Sequence, residues 1–223
     1  MAKFIINESV IVGDYNKIEI NVNTTNIKIL PSEDEKTKLV CHEKKRRKHQ
    51  LLLENMILKV KSTEKKWLSF GFKYAELTLY IPIKKYENIN IINNTGSVEM
   101  FNIFEAGELL IKTNTGSVTL DTVNCDELVS KGGTGCVSLN KLISKNNIDI
   151  KRNTGNVKLK KCDGKNIYIK TNTGRVEVNL LTSKLFITKS NTGKLKTDTM
   201  KMENTNLSGK CEIKTNTGNI ILN

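Results

Sequence analysis

Six lysines stand at one fixed position, four residues before a recurring glycine: Lys112, Lys131, Lys151, Lys170, Lys189 and Lys214. Like charges stacked about 5 Å apart repel by roughly 0.9 kcal/mol in water, so a row of them gains from anions alongside. A second basic cluster is the run Lys44, Lys45, Arg46, Arg47 and Lys48. Both are candidate anion-binding groups; without a ligand they are a solvated edge and a hairpin tip. The formal net charge of +13 points the same way, toward phospholipid headgroups, acidic wall polymers or nucleic acid. Nucleic acid is disfavoured, because no stacking aromatics interleave with the basic residues. Trp67, Phe70 and Phe72 form an aromatic cluster that is either core or a contact for a partner.

Bond-making chemistry finds less support. The histidines are His42 and His49, with no acid at a spacing that suggests a triad. Cys41 adjoins His42, but strand neighbours face opposite ways and cannot act as nucleophile and base. The five cysteines are irregularly spaced and include no CxxC pair, which speaks for reduced thiols and against a metal knuckle or redox motif. The recurring Asn-Thr-Gly lacks the GK[ST] and the helix of a phosphate loop. The aspartates fall in no single column, unlike those of a calcium-binding roll. The expectation is a protein that is not an enzyme and needs no cofactor and no metal.

The elements that would present these residues come from an internal repeat. Its glycines are Gly96, Gly116, Gly135, Gly155, Gly174, Gly193 and Gly218, and successive subtraction gives spacings of 20, 19, 20, 19, 19 and 25. Apolar residues recur two after the glycine (Val98, Val118, Val137, Val157, Val176, Leu195, Ile220) and four after it, from Met100 to Leu222. They recur again five and seven before it, as at Ile111 and Leu109. Each repeat therefore reads as two short strands of period-two alternation joined by an Asn-Thr-Gly corner. A unit that short cannot bury its own apolar face, but a stack of such units can. The lysines, flanked by inward positions, then point outward, one above another.

The string KKWLSFGFKYAELTLYIP, followed by KTNTGSVTL-type units, resembles the bacterial "putative adhesin" family of β-strand-repeat proteins, a domain of unknown function. The resemblance covers nearly the whole chain. It implies a β-solenoid with surface or envelope roles, since some members belong to cell-envelope stress operons. The opening MAKFIINESV carries no signal-peptide pattern, a departure from the exported members.

The expected fold is all-β: a single-stranded β-solenoid (β-helix) of about 20 residues per coil, judging by the 19- and 20-residue spacings, with an irregular N-terminal β cap. Residues 1–88 form the cap with one degenerate coil, and residues 89–223 the seven repeats. The expected function is a non-catalytic scaffold or interaction module; the alternative is binding of a polyanion through the lysine stripe. The expected partners are a protein or an anionic surface, with a homo-oligomer through the C-terminal coil. The expected location is the cytoplasm or, alternatively, the cell envelope.

Overall fold

The structure is a computed structural model that describes residues 4–44, 48–62, 74–197 and 207–223. Among these the chain is all-β, and no helix is long and apolar enough to cross a membrane.

The repeat strands are β7 (Lys85–Thr95), β8 (Val98–Thr115), β9 (Val118–Thr134), β10 (Val137–Thr154) and β11 (Val157–Thr173), then β12 (Val176–Leu180), β13 (Leu185–Thr192), β14 (Leu195–Thr197), β15 (Lys210–Thr217) and β16 (Ile220–Leu222). They pair in parallel and in the register of the repeat: Val98 lies beside Val118, Val118 beside Val137, and Val137 beside Val157. The valine column from Val98 to Val176 is buried throughout. At about 25 cal/mol per Å2 of apolar surface removed from water, each such valine contributes roughly 1.5–3 kcal/mol.

The Asn-Thr-Gly corners are held by backbone bonds between repeats. The Gly155 N–H donates to the Thr173 carbonyl, and the Gly135 N–H to the Thr154 carbonyl, both at 2.9 Å. The residue after the glycine adds a side-chain tie that the sequence pattern did not expose. Asn156 Oδ1 accepts from the Arg175 N–H, and Asn219 Oδ1 from the Lys194 N–H, both at 2.9 Å. A second corner falls six residues after the glycine. There Asn102, Thr122, Lys141 and Lys161 adopt φ of 66°, 56°, 50° and 53°, the left-handed region, without glycine's help.

Spatial order departs from chain order at the far end. β15 pairs with β11 on one side and β13 on the other, and β16 lies between β12 and β14. The seventh repeat is thus inserted between the fifth and the sixth. This corrects the expectation that the C-terminal coil ends the stack and offers its edge to a second copy, because that coil is paired on both sides. The physical reason lies in the inward columns. The seventh repeat turns Cys211, Ile213, Ile220 and Leu222 inward, whereas the sixth has Phe186, Thr188, Leu195 and Thr197. Enclosing the more apolar set and leaving the threonine-containing set outermost exposes less apolar surface. Leu195 is accordingly 52% exposed, while Ile220 in the same column is 1% exposed.

At the other end β2 (Lys17–Pro31) runs parallel to β7, placing Ile18 and Ile20 beside Ile89 and Ile91 and Ile27 beside Val98. Its outer side pairs with β5 (Ile57–Ser62) and β6 (Ala75–Ile81), again parallel. Antiparallel strands close this edge: β3 (Thr37–Lys44) on β6, β1 (Phe4–Ile11) on β3, and β4 (His49–Glu54) on β5. A reversal of strand direction blocks further parallel stacking, one way natural sheets protect an edge.

Candidate functional site

The lysine column forms one continuous ladder. Register pairs run from Lys112 to Lys131, Lys151 and Lys170, then to Lys214, with Lys189 last. The exchange of the sixth and seventh repeats thus leaves the ladder unbroken but reverses its last two rungs. Its rungs are not equivalent. Lys151 forms a 2.9 Å ion pair with Asp149, and Lys214 pairs with Glu212. Both ammonium groups also lie over the Tyr168 ring, 5.2 and 5.8 Å from its centroid. The hydrogen bond to Glu212 holds Lys214 above the usual lysine range, and Glu212 correspondingly below the carboxylate range. Lys112, Lys131, Lys170 and Lys189 are exposed and have no acidic partner among the described residues.

A groove of 840 Å3 runs beside the first two of these, Lys112 and Lys131. Asn94 and Asn114 line it from the corner column, and Asn21, Asn23 and Ser62 from β2 and β5 at the next rungs. The Asn114 amide donates to Asn94 Oδ1 at 3.3 Å, so the column begins as an amide ladder. Gly133 then replaces asparagine and interrupts it within the groove.

A further cation lies inside the stack next to this groove. Arg152 is buried in the column where neighbouring repeats carry Thr113 and Thr171. It fits because the adjacent rung is Gly132, whose missing side chain leaves the space that the guanidinium fills. Nη2 donates to Ser130 Oγ at 3.0 Å and Nη1 to the Lys151 carbonyl at 3.3 Å, while the buried Nε has no partner among the described residues. Burial pulls the guanidinium down to about 10, so it stays charged at neutral pH. Gly132 also lines the groove, which places this charge behind its wall. The signal in the sequence was the joint departure of Gly132 and Arg152 from the column's threonines.

Of the basic run and the aromatic cluster, only part is described. Lys45, Arg46 and Arg47 lie outside the described residues, as do Trp67, Phe70 and Phe72. Lys44 ends β3, and Lys48 is exposed immediately before His49. His49 pairs in register with Ser62, a groove residue.

Cys41 and His42 do face opposite ways, Cys41 buried and His42 exposed. His49, however, has an acidic partner that its sequence spacing did not suggest. Its Nδ1 lies 2.8 Å from Glu43 Oε2, and its Nε2 lies 3.0 Å from Thr25 Oγ1. The end of β3 and the start of β4 bring the two side chains together across this six-residue separation. Thr25, Glu43 and His49 are all buried, so the order hydroxyl–imidazole–carboxylate gives no substrate access to the hydroxyl. Cys41 shares the pocket; burial, then the Glu43 charge, pushes its thiol up to about 12. All five cysteines are free thiols, with Cys136 exposed and the rest buried.

A family model described as Toastrack DUF4097 matches residues 15–223. Among solved structures, a "putative adhesin" from Bacteroides fragilis is similar over 99% of this chain and 97% of its own, at 16% identity and a TM-score of 0.60. A second "putative adhesin", from Parabacteroides merdae, is similar over 98% of this chain and 96% of its own, at 12% identity and a TM-score of 0.51. At these identities the likeness is one of fold. No curated protein matches the chain.

Proposed function

Since the chain belongs to the Toastrack DUF4097 family, we propose that it is a non-catalytic β-solenoid interaction module that holds an anionic polymer or lipid surface along its lysine ladder. In this proposal residues 1–88 are the cap, and residues 89–223 are the solenoid, with coils matching the 19- and 20-residue spacings of the glycines. Parallel pairing at that offset supports the coil, and the antiparallel strands beyond β6 support the cap. The adhesin names of the similar structures favour a role in binding at the cell envelope.

The observation that carries the anionic partner is the set Lys112, Lys131, Lys170 and Lys189. These lysines share one outward ladder and lack acidic partners among the described residues, while the rungs at Lys151 and Lys214 are neutralised. Arg152 adds a buried charge behind the groove beside Lys112 and Lys131. Binding of this kind is weak per contact and steeply salt-dependent, because the screening length is about 8 Å at physiological ionic strength.

The test is co-sedimentation with phosphatidylserine-containing vesicles, and retention by a soluble polyanion, at low and physiological salt. The wild type should bind at low salt and release as salt rises. The triple variant Lys112→Gln, Lys131→Gln and Lys170→Gln should fold normally and bind weakly. Equal binding by the variant, or no binding by the wild type at low salt, would reduce the ladder to a solvated edge.

A further inference from the structure

We propose that Cys41, Glu43 and His49 form a buried site for a divalent metal ion of the zinc class. Cys41 and Glu43 are two apart on β3 and share a face. His49 opens β4 and faces Glu43 at 2.8 Å. One donor atom from each, a thiol sulfur, a carboxylate oxygen and an imidazole nitrogen, lies within 4.8 Å of the other two. Metal–ligand bonds of about 2.0–2.3 Å in a tetrahedral arrangement separate ligand atoms by roughly 3.3–3.8 Å. The three donors need therefore to shift by no more than about 1 Å to surround an ion.

The atoms behind the donors are placed as metal sites place them. A ligating imidazole hands its distal N–H to an acceptor, and a ligating carboxylate is itself hydrogen-bonded. With Nδ1 turned to the ion, His49 Nε2 lies 3.0 Å from Thr25 Oγ1. With Glu43 Oε2 as ligand, Oε1 still accepts from Asn7 Nδ2 at 3.1 Å. The His49 backbone N–H, 2.8 Å from Oε2, fixes the carboxylate rotamer. Both candidate ligands thus have independent outer partners, from β2 and β1.

Donor chemistry selects the ion. Thiolate and imidazole favour zinc-like metals, whereas calcium and magnesium require six or more oxygen ligands. On binding, the Cys41 S–H bond breaks, its proton passes to solvent, and the sulfur electron pair forms the S–metal bond. Any proton on His49 Nδ1 leaves in the same way. No group is oxidised or reduced. Thiolate, carboxylate and a dication sum to zero, so the occupied site buries no net charge. Its consequence would be local: the end of β3 and the start of β4 become pinned together beside β2 and β1, independently of what the lysine ladder binds.

The experiment uses the full chain, reduced and stripped with a chelator, then titrated with Zn2+ or Co2+. The expected result is one equivalent bound, a near-ultraviolet thiolate-to-cobalt charge-transfer band, and a melting temperature that rises with free zinc. Cys41→Ser should abolish the charge-transfer band, and His49→Gln should weaken binding at least tenfold. Cys136→Ser should change neither. Circular dichroism verifies that each variant is folded; if Cys41→Ser is not, His49→Gln alone decides. No band and no thermal shift in the wild type at excess metal would overturn the site. So would a band that survives in folded Cys41→Ser, or undiminished affinity in folded His49→Gln.

Discussion

Replacing Gly155 with alanine should destabilise the protein by roughly 3–5 kcal/mol, the sum of backbone strain and two weakened inter-repeat hydrogen bonds. Gly155 has φ of 147°, and a Cβ built there would overlap the Gly135 carbonyl oxygen and lie 2.6 Å from its carbon. Both obstacles are backbone, so no side chain can move aside. Relief requires the two repeats to separate or the corner to change conformation. Separation stretches the bonds from Gly135 N–H to Thr154 and from Val137 N–H to Asn156, each 2.9 Å. At about 1 kcal/mol net per hydrogen bond and 1–3 kcal/mol for a strained residue, the total falls in the stated range. For a chain of this size that is a fall in melting temperature of roughly 6–20 °C. The assay is thermal melting by far-ultraviolet circular dichroism, with Thr154→Ala, its exposed neighbour, as control. A Gly155→Ala melt within the scatter of the control would refute the tight corner stacking on which the fold description rests.

Val157→Asp should place a charge without a partner between repeats and cost several kcal/mol, as a urea midpoint comparison would show; a parent-like midpoint would contradict its burial. Thr122→Asn should raise stability by roughly 0.5–1 kcal/mol, because asparagine tolerates the left-handed conformation better than a β-branched residue. An unchanged melt would mean that the corner is unstrained. Of the five thiols, Cys136 alone should react quickly with a thiol reagent near pH 8, since burial raises the pKa of Cys41, Cys125, Cys162 and Cys211; denaturation should release all five. Burial would raise the Asp163 pKa, but hydrogen bonds from Lys184, Thr182 and the Gly164 N–H outweigh it and hold the carboxyl below its ordinary range. Its stabilisation is therefore present above an unfolded value of about 3.9 and is lost as pH falls through the lower folded value. Asp163→Asn should flatten the acid limb of stability against pH, and an unaltered limb would count against the Lys184 ion pair.

The repeat, its inward columns and the outward lysine column were legible in the linear order. A spacing of 19 or 20 residues sets equivalent positions one above another in parallel pairing, so periodicity alone sorts in from out. Four features were not legible, because each is a contact between segments that periodicity treats as equivalent or unrelated. The sixth and seventh repeats share the same corner motif, and their exchange follows from which inward set is the more apolar. The left-handed backbone of the second corner, at Thr122 and Lys161, carries no glycine signal, although the apolar residue after it marks a corner there. Arg152 reads as a surface cation until Gly132 on the next rung is seen to open the interior to it. His49 meets Glu43, Cys41 and Thr25 only because β3, through β6, and β4, through β5, both converge on β2, and no one-dimensional spacing encodes that convergence.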